Sequence, residues 1–103
     1  MDTPTVLDVA EWPRFEIHVD GRLAGLTQYR MSDPSLIVFT HTEIDDAYEG
    51  RGLGSILIRA ALDAARGRGL AVRPDCPFVR GYIARHSEYL DLVPVDLRAP
   101  LGL

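Results

Sequence analysis

Cysteine is nearly absent from this 103-residue chain: Cys76 stands alone, so no internal disulfide can form. The three histidines are scattered as His18, His41 and His86, and with one cysteine they make no zinc-ligand spacing, so no metal is expected. No apolar run approaches the about 20 residues of a membrane span, and Met1–Trp12, carrying Asp2, Asp8 and Glu11, lacks the apolar centre of a signal peptide. A cytoplasmic protein without a membrane partner is the expectation. Positive charge is sparse too. With a net charge of -4 and no basic cluster longer than the scattered Arg66 and Arg68, the electrostatic footprint of a nucleic-acid binder is missing. The acidic balance tilts long-range attraction toward a cationic or amine-bearing partner. Low-complexity tracts and fixed-period repeats are lacking as well, which excludes a solenoid.

What is present suits an ordinary globular unit. A hydrophobic fraction of 47% in a chain of this length points to a single domain over residues 1–103, its core about residues 14–93 and its ends flexible. "RFEIHVD" at 14–20 alternates apolar Phe15, Ile17 and Val19 with polar Glu16, His18 and Asp20, the period of a half-buried strand. "LAGLTQYRM" at 23–31 and "LIVFTHTEI" at 36–44 are also β-rich, and short connections join all three runs into an antiparallel meander.

The period then changes. In "SILIRAALDAARGRG" the charged Arg59, Asp63 and Arg66 share one face and Leu57, Ala60, Ala61 and Ala64 the other, so the segment is an amphipathic helix that stops at Gly67 and Gly69. "LAVRP" at 70–74 reads as a strand parallel to 36–44, giving a β-α-β crossover. A second helix follows, capped by Asp75 or Cys76, with Pro77 in its first turn and Phe78, Val79, Tyr82 and Ile83 as its apolar stripe. "EYLDLV" reads as a short strand or helical turn, and the two-proline segment after it as a loosely held tail. The fold class is therefore α/β.

Between strand and first helix lies "YEGRGLGS" at 48–55. Gly50, Gly52 and Gly54 let backbone approach an anionic oxygen, the positive end of the helix dipole faces the same way, and Ser55 adds a hydroxyl. A nucleotide triphosphatase loop needs lysine before that hydroxyl residue, and Gly54 stands there instead. The dinucleotide fingerprint needs G-x-G-x-x-G directly after a strand, whereas this loop is G-x-G-x-G and the chain is too short for a paired sheet.

"EGRGLG" resembles the pyrophosphate loop of the GCN5-related N-acetyltransferases, although Glu49 departs from the usual glutamine or arginine at its first position. "HTEI" at 41–44, "VRPDCPFV" at 72–79 and "YIARHSEYLDLV" at 82–93 extend the likeness to the minimal, roughly hundred-residue branch of that family, over about residues 14–93. The resemblance implies a trimmed GCN5-related fold with acetyl-CoA as cosubstrate and an amine, on a small molecule or a protein, as acceptor. CoA would lie where the strands holding Thr40–Glu43 and Leu70–Arg73 splay apart, its pyrophosphate on Gly50, Arg51, Gly52, Leu53, Gly54 and Ser55.

Acyl transfer needs a deprotonated nucleophile, donors for the oxyanion and an acid for the leaving thiolate. Cys76 is the sharpest candidate, because the second helix's dipole favours its thiolate, although Asp75 opposes this. Strand alternation puts Phe39, His41 and Glu43 on one face, where His41 would deprotonate the amine or Cys76 and Glu43 would orient its ring. Tyr82 is a candidate general acid by resemblance, its competing reading being a core aromatic beside Phe78. Arg51 and Arg80 are candidate phosphate contacts, and His18 and His86 carry no comparable argument. Direct attack by the amine and passage through an acetyl-Cys76 intermediate both stay open. The alternatives are a non-catalytic CoA-binding module whose acceptor pocket a partner or second copy completes, the chain otherwise acting as monomer or homodimer, and an interaction domain with a fortuitous glycine turn.

Overall fold

The computed structural model describes residues 3–103, and Met1 and Asp2 lie outside the described residues. Five strands form one sheet in the order β1 (Thr5–Val9), β2 (Arg14–Val19), β3 (Arg22–Asp33), β4 (Leu36–Ile44) and β5 (Ala71–Pro74). The first four are antiparallel and β5 runs parallel to β4. The meander is thus one strand longer than the sequence pattern predicts. β1 escaped because in "TVLDV" apolar Val6 and Leu7 are adjacent, so neither face is uniformly apolar. Its pairing with β2, from Thr5–His18 to Val9–Arg14, and a bond from the Tyr29 hydroxyl to Asp8 Oδ1 at 2.7 Å hold it instead.

Helix α1 (Leu53–Gly67) makes the crossover from β4 to β5 and lays Leu53, Leu57, Ile58, Ala61, Leu62 and Ala65 on the core. Each fully buried Leu or Ile contributes about 1.5–3 kcal/mol. The buried stripe is rotated slightly from the expected one, since Ala60 and Ala64 sit at its border, but Arg59, Asp63 and Arg66 face water as expected. The expected glycines, Gly67 as its last residue and Gly69 just past it, do close the helix. Gly69 takes φ +69°, which frees its N–H to reach the Arg66 carbonyl at 3.0 Å and lets Leu70 N–H reach that of Ala65 at 2.9 Å, the paired bonds of a Schellman cap.

Phe15, Tyr29 and Phe39 pack beneath the helix as tilted or edge-on rings with centroids 5.4–6.3 Å apart. Helix α2 (Pro77–Arg85) starts where predicted, with Cys76 at its N-cap and Pro77 in its first turn. The segment after it is a 3-10 helix, Ser87–Leu92. Tyr89 ties it to α1 by donating to Asp63 Oδ1 at 2.7 Å, and Arg66 clamps it by donating to both oxygens of Asp91 and to the Glu88 carbonyl. The expected loose tail instead carries a short helix, α3 (Val95–Arg98), with Leu97, Leu101 and Leu103 against the core.

Tyr29 and Tyr89, the two phenols that pin β1 and the 87–92 segment, are both pushed up to about 12 by burial and by the carboxylates they donate to. A raised value means the fold favours the neutral phenol, so this stabilisation is complete below the ordinary tyrosine value and fades as pH climbs through about 12. Urea midpoints are expected to fall between pH about 10 and about 12, and the Tyr29→Phe/Tyr89→Phe double variant, weaker at neutral pH, should show a shallower fall.

Candidate active site

Pairing between β4 and β5 covers only Leu36–Ala71 to Phe39–Pro74. Beyond it the chain leaves the sheet. Cys76 N–H donates to the Phe39 carbonyl at 2.9 Å and α2 sets off at once, while β4 runs on to Ile44, paired with β3 alone. The β5-side edge of residues 40–44 is therefore outside the ladder, a row of backbone donors and acceptors suited to an extended ligand. Against it opens a cavity of about 280 Å³ lined by Thr42, Ile44, Tyr48, Gly52, Leu53 and Phe78 among others.

The glycine loop closes the far end of this crevice. A 3-10 turn, Asp46–Tyr48, is capped by Asp45, whose carboxylate accepts from Ala47 N–H at 2.9 Å. Gly50 and Gly52 then take φ +78° and +73°, the left-handed region that glycine enters without strain. A Cβ at either would meet nothing within 4 Å, so both face open space. Gly52 is the N-cap of α1 and no side chain caps that end. The first helical bond runs from Ile56 N–H to the Gly52 carbonyl, so the Leu53, Gly54 and Ser55 amides form a mouth of donors with the dipole behind them. These three residues belong to the first turn of the helix, not to the loop before it. Leu53 buries its side chain, leaving only its amide, while Arg51 and Ser55 are exposed and the Arg51 guanidinium lies 5.5 Å from the Tyr48 ring centre.

Gly54 is needed for a different reason. A Cβ there would stand 2.5 Å from Phe78 Cζ, so this glycine makes room for an aromatic ring of α2. Phe78, assigned by periodicity to the core, is instead 41% exposed and walls the crevice.

The chemistry-bearing residues separate onto two faces. Gln28 pairs with His41 and Tyr29 with Phe39, so Thr40 is an extra residue in β4 and a β-bulge reverses the alternation after it. Phe39, His41 and Glu43 therefore do not share a face. Thr42 turns toward α2, its hydroxyl 3.3 Å from Cys76 Sγ and 2.9 Å from the hydroxyl of Thr27, whereas His41 and Glu43 emerge opposite, exposed and bonded to each other at 2.8 Å. Cys76 is 3% exposed. Tyr82, one turn beyond Phe78, is packed with its ring stacked on His86 at 4.1 Å, and burial holds its phenol above the ordinary tyrosine range. It is not among the residues lining the crevice. Arg80 reaches the Asp75 carbonyl at 3.4 Å. Sequence reasoning missed Thr42 and Thr27. The signal was there, since "THTE" offers a hydroxyl at alternate positions, but only the bulge decides which positions turn inward.

Among the described residues no group of three or more His, Cys, Asp or Glu side chains is arranged to hold a metal, and no helix is long and apolar enough to cross a membrane. Residues 14–92 match the family model described as GCN5-related N-acetyl-transferase. Protein NATD1 of Gallus gallus and of Mus musculus is 31% identical over 65 residues, 61% of this chain, and the match spans 59% of those relatives' length. A GCN5-like protein from Staphylococcus aureus superposes with a TM-score of 0.63 at 26% identity, covering 79% of this chain and 80% of that one. Ard1 from Thermoplasma volcanium shares the fold at a TM-score of 0.56 and 20% identity, over 65% of this chain and 45% of its own.

Contact between Gly54 and Phe78 has a measurable consequence. In a helix, alanine gains about 1 kcal/mol over glycine, but at position 54 its methyl evicts the ring, so Gly54→Ala alone should change stability little. In a Phe78→Ala background the same change should add about 1 kcal/mol, read from urea denaturation of the four-variant cycle. Equal effects in both backgrounds would mean the two residues do not interact.

Proposed function

The chain belongs to the GCN5-related N-acetyltransferase family, whose members move an acetyl group from acetyl-CoA, and from that premise we propose that it acetylates an amine, with the diphosphate of CoA held by the amides of residues 51–55. The observation that carries this reading is the uncapped mouth of α1, where Gly50 and Gly52 leave open the space a side chain would fill, beside the free edge of β4. Acetyl-CoA supplies an activated thioester. The chain's own part is to bind and orient it: loop amides neutralise the diphosphate, backbone groups of residues 40–44 receive the amide-bearing arm, and Phe78 shields it from water.

Cys76, buried behind Thr42 and outside the residues that line the crevice, is the sulfur to which the acetyl group passes, supported by the Thr42 hydroxyl 3.3 Å from it. The His41–Glu43 pair favours a second reading, direct attack by an amine arriving from the opposite sheet face. There His41 would take the proton, with Glu43 fixing its ring. His41 on that face is not positioned to deprotonate Cys76, so the two routes use different residues.

Isothermal titration with acetyl-CoA should give saturable binding, and Gly52→Val, which puts a β-branched residue at positive φ, should weaken it at least about tenfold. Heat without saturation would sink the reading. Intact mass after incubation with acetyl-CoA separates the routes. The chain has no lysine, so an adduct lost in Cys76→Ala marks the cysteine route, and its absence with CoA still released to an amine marks direct attack.

A further inference from the structure

We propose that Thr27 and Thr42 form a one-way hydroxyl relay that makes the Cys76 sulfur a hydrogen-bond acceptor, with Thr42 the residue that positions it as a thiolate. This rests on the reading of Cys76 as the sulfur that receives the acetyl group.

Proton counting sets the direction. Thr27 is fully buried, at 0% exposure, and among the described residues its hydroxyl has one partner, Thr42 Oγ1 at 2.9 Å. If the Cys76 thiol donated to Thr42 and Thr42 to Thr27, the Thr27 proton would face no acceptor, a buried donor left with its full desolvation penalty. In the opposite order the proton left over is the thiol's, a weaker donor than a hydroxyl and so less costly to leave unpaired, and an ionised sulfur leaves none. Thr27 donates to Thr42, and Thr42 donates across 3.3 Å to Sγ. A thiol is a weak acceptor and a weak donor, whereas an anionic sulfur accepts a charge-assisted bond, so this order favours the ionised form.

Nothing charged competes for the sulfur among the bonds of the described residues. The Asp75 carboxylate is held by Arg73 Nε at 2.8 Å, and Arg80 bonds the Asp75 carbonyl. Cys76 also caps the nine-residue helix α2 without bonding its side chain to that helix, so the positive dipole end acts in the same sense as the Thr42 hydroxyl. In the transfer, a lone pair of Sγ forms the bond to the acetyl carbon. The carbon–sulfur bond of CoA breaks, its electron pair leaves on the CoA sulfur, and water supplies that sulfur's proton. When an amine takes the acetyl group, its nitrogen gives up a proton to water and Cys76 departs as the thiolate that Thr42 again receives.

The single cysteine makes the test clean, because the ultraviolet thiolate absorbance of the protein minus that of Cys76→Ala belongs to one group. At neutral pH, Thr42→Val should lower this signal and slow iodoacetamide alkylation of Cys76 at least about tenfold, the loss of one charge-assisted bond. Thr42→Ser should restore both. Thr27→Val should produce a smaller loss of the same sign and no further loss in the Thr42→Val background. A merely structural role predicts the reverse, since loosened packing exposes the sulfur and speeds alkylation. Alkylation of Thr42→Val as fast as the parent, or an unchanged thiolate signal, overturns the relay; should that variant not fold, an unchanged signal in Thr27→Val does so. Full turnover by Cys76→Ala would instead overturn the catalytic reading of Cys76 and leave the thiolate measurement standing.

Discussion

Four residue pairs hold β5 to β4, and the site depends on their stopping at Phe39 and Pro74. A fifth pair would zip the edge of β4 and bury the groups that face the crevice. Two features prevent it. The Asp75 amide, the next in register, turns back to the Arg73 carbonyl at 3.1 Å, and the Cys76 amide takes the Phe39 carbonyl, which redirects the chain into α2. Because β4 keeps its partner on the other side out to Ile44, the opened edge stays rigid, with backbone groups set in place before a ligand arrives.

The bulge at Thr40 sits at the same level of the sheet. It gives β4 two chemical faces within four residues: hydroxyl and sulfur toward α2, imidazole and carboxylate away from it. A regular strand would have sent His41 inward and Thr42 out. The extra residue costs one irregular step in the ladder, and Thr40 spans that step by donating to the Gln28 carbonyl at 3.4 Å.

Much of this was legible in the residues. Period-2 alternation marked β2, β-rich runs marked β3 and β4, the glycine pair at 67 and 69 marked the end of α1, and Pro77 marked the start of α2, because each signal is local and rests on sterics of the residue itself. The loop 48–55 was legible for the same reason. What escaped depends on distant partners. β1 is held by pairing and by a tyrosine more than twenty positions away, not by its own pattern, and the last short helix is held by Leu97, Leu101 and Leu103 packed on the core. The inward turn of Thr42 could not be read either, since a bulge is a property of two strands in register. Gly54 looked like its neighbours in the loop, yet its role is fixed by a ring from another helix.

That last contact ties positions 54 and 78 into one unit of inheritance. A lineage that enlarges residue 54 must shrink residue 78 or let α2 drift from the mouth of α1, and either change reshapes the crevice wall. Across homologues the two positions should therefore vary together or stay fixed together, and the trace would survive even where the loop's other glycines have diverged.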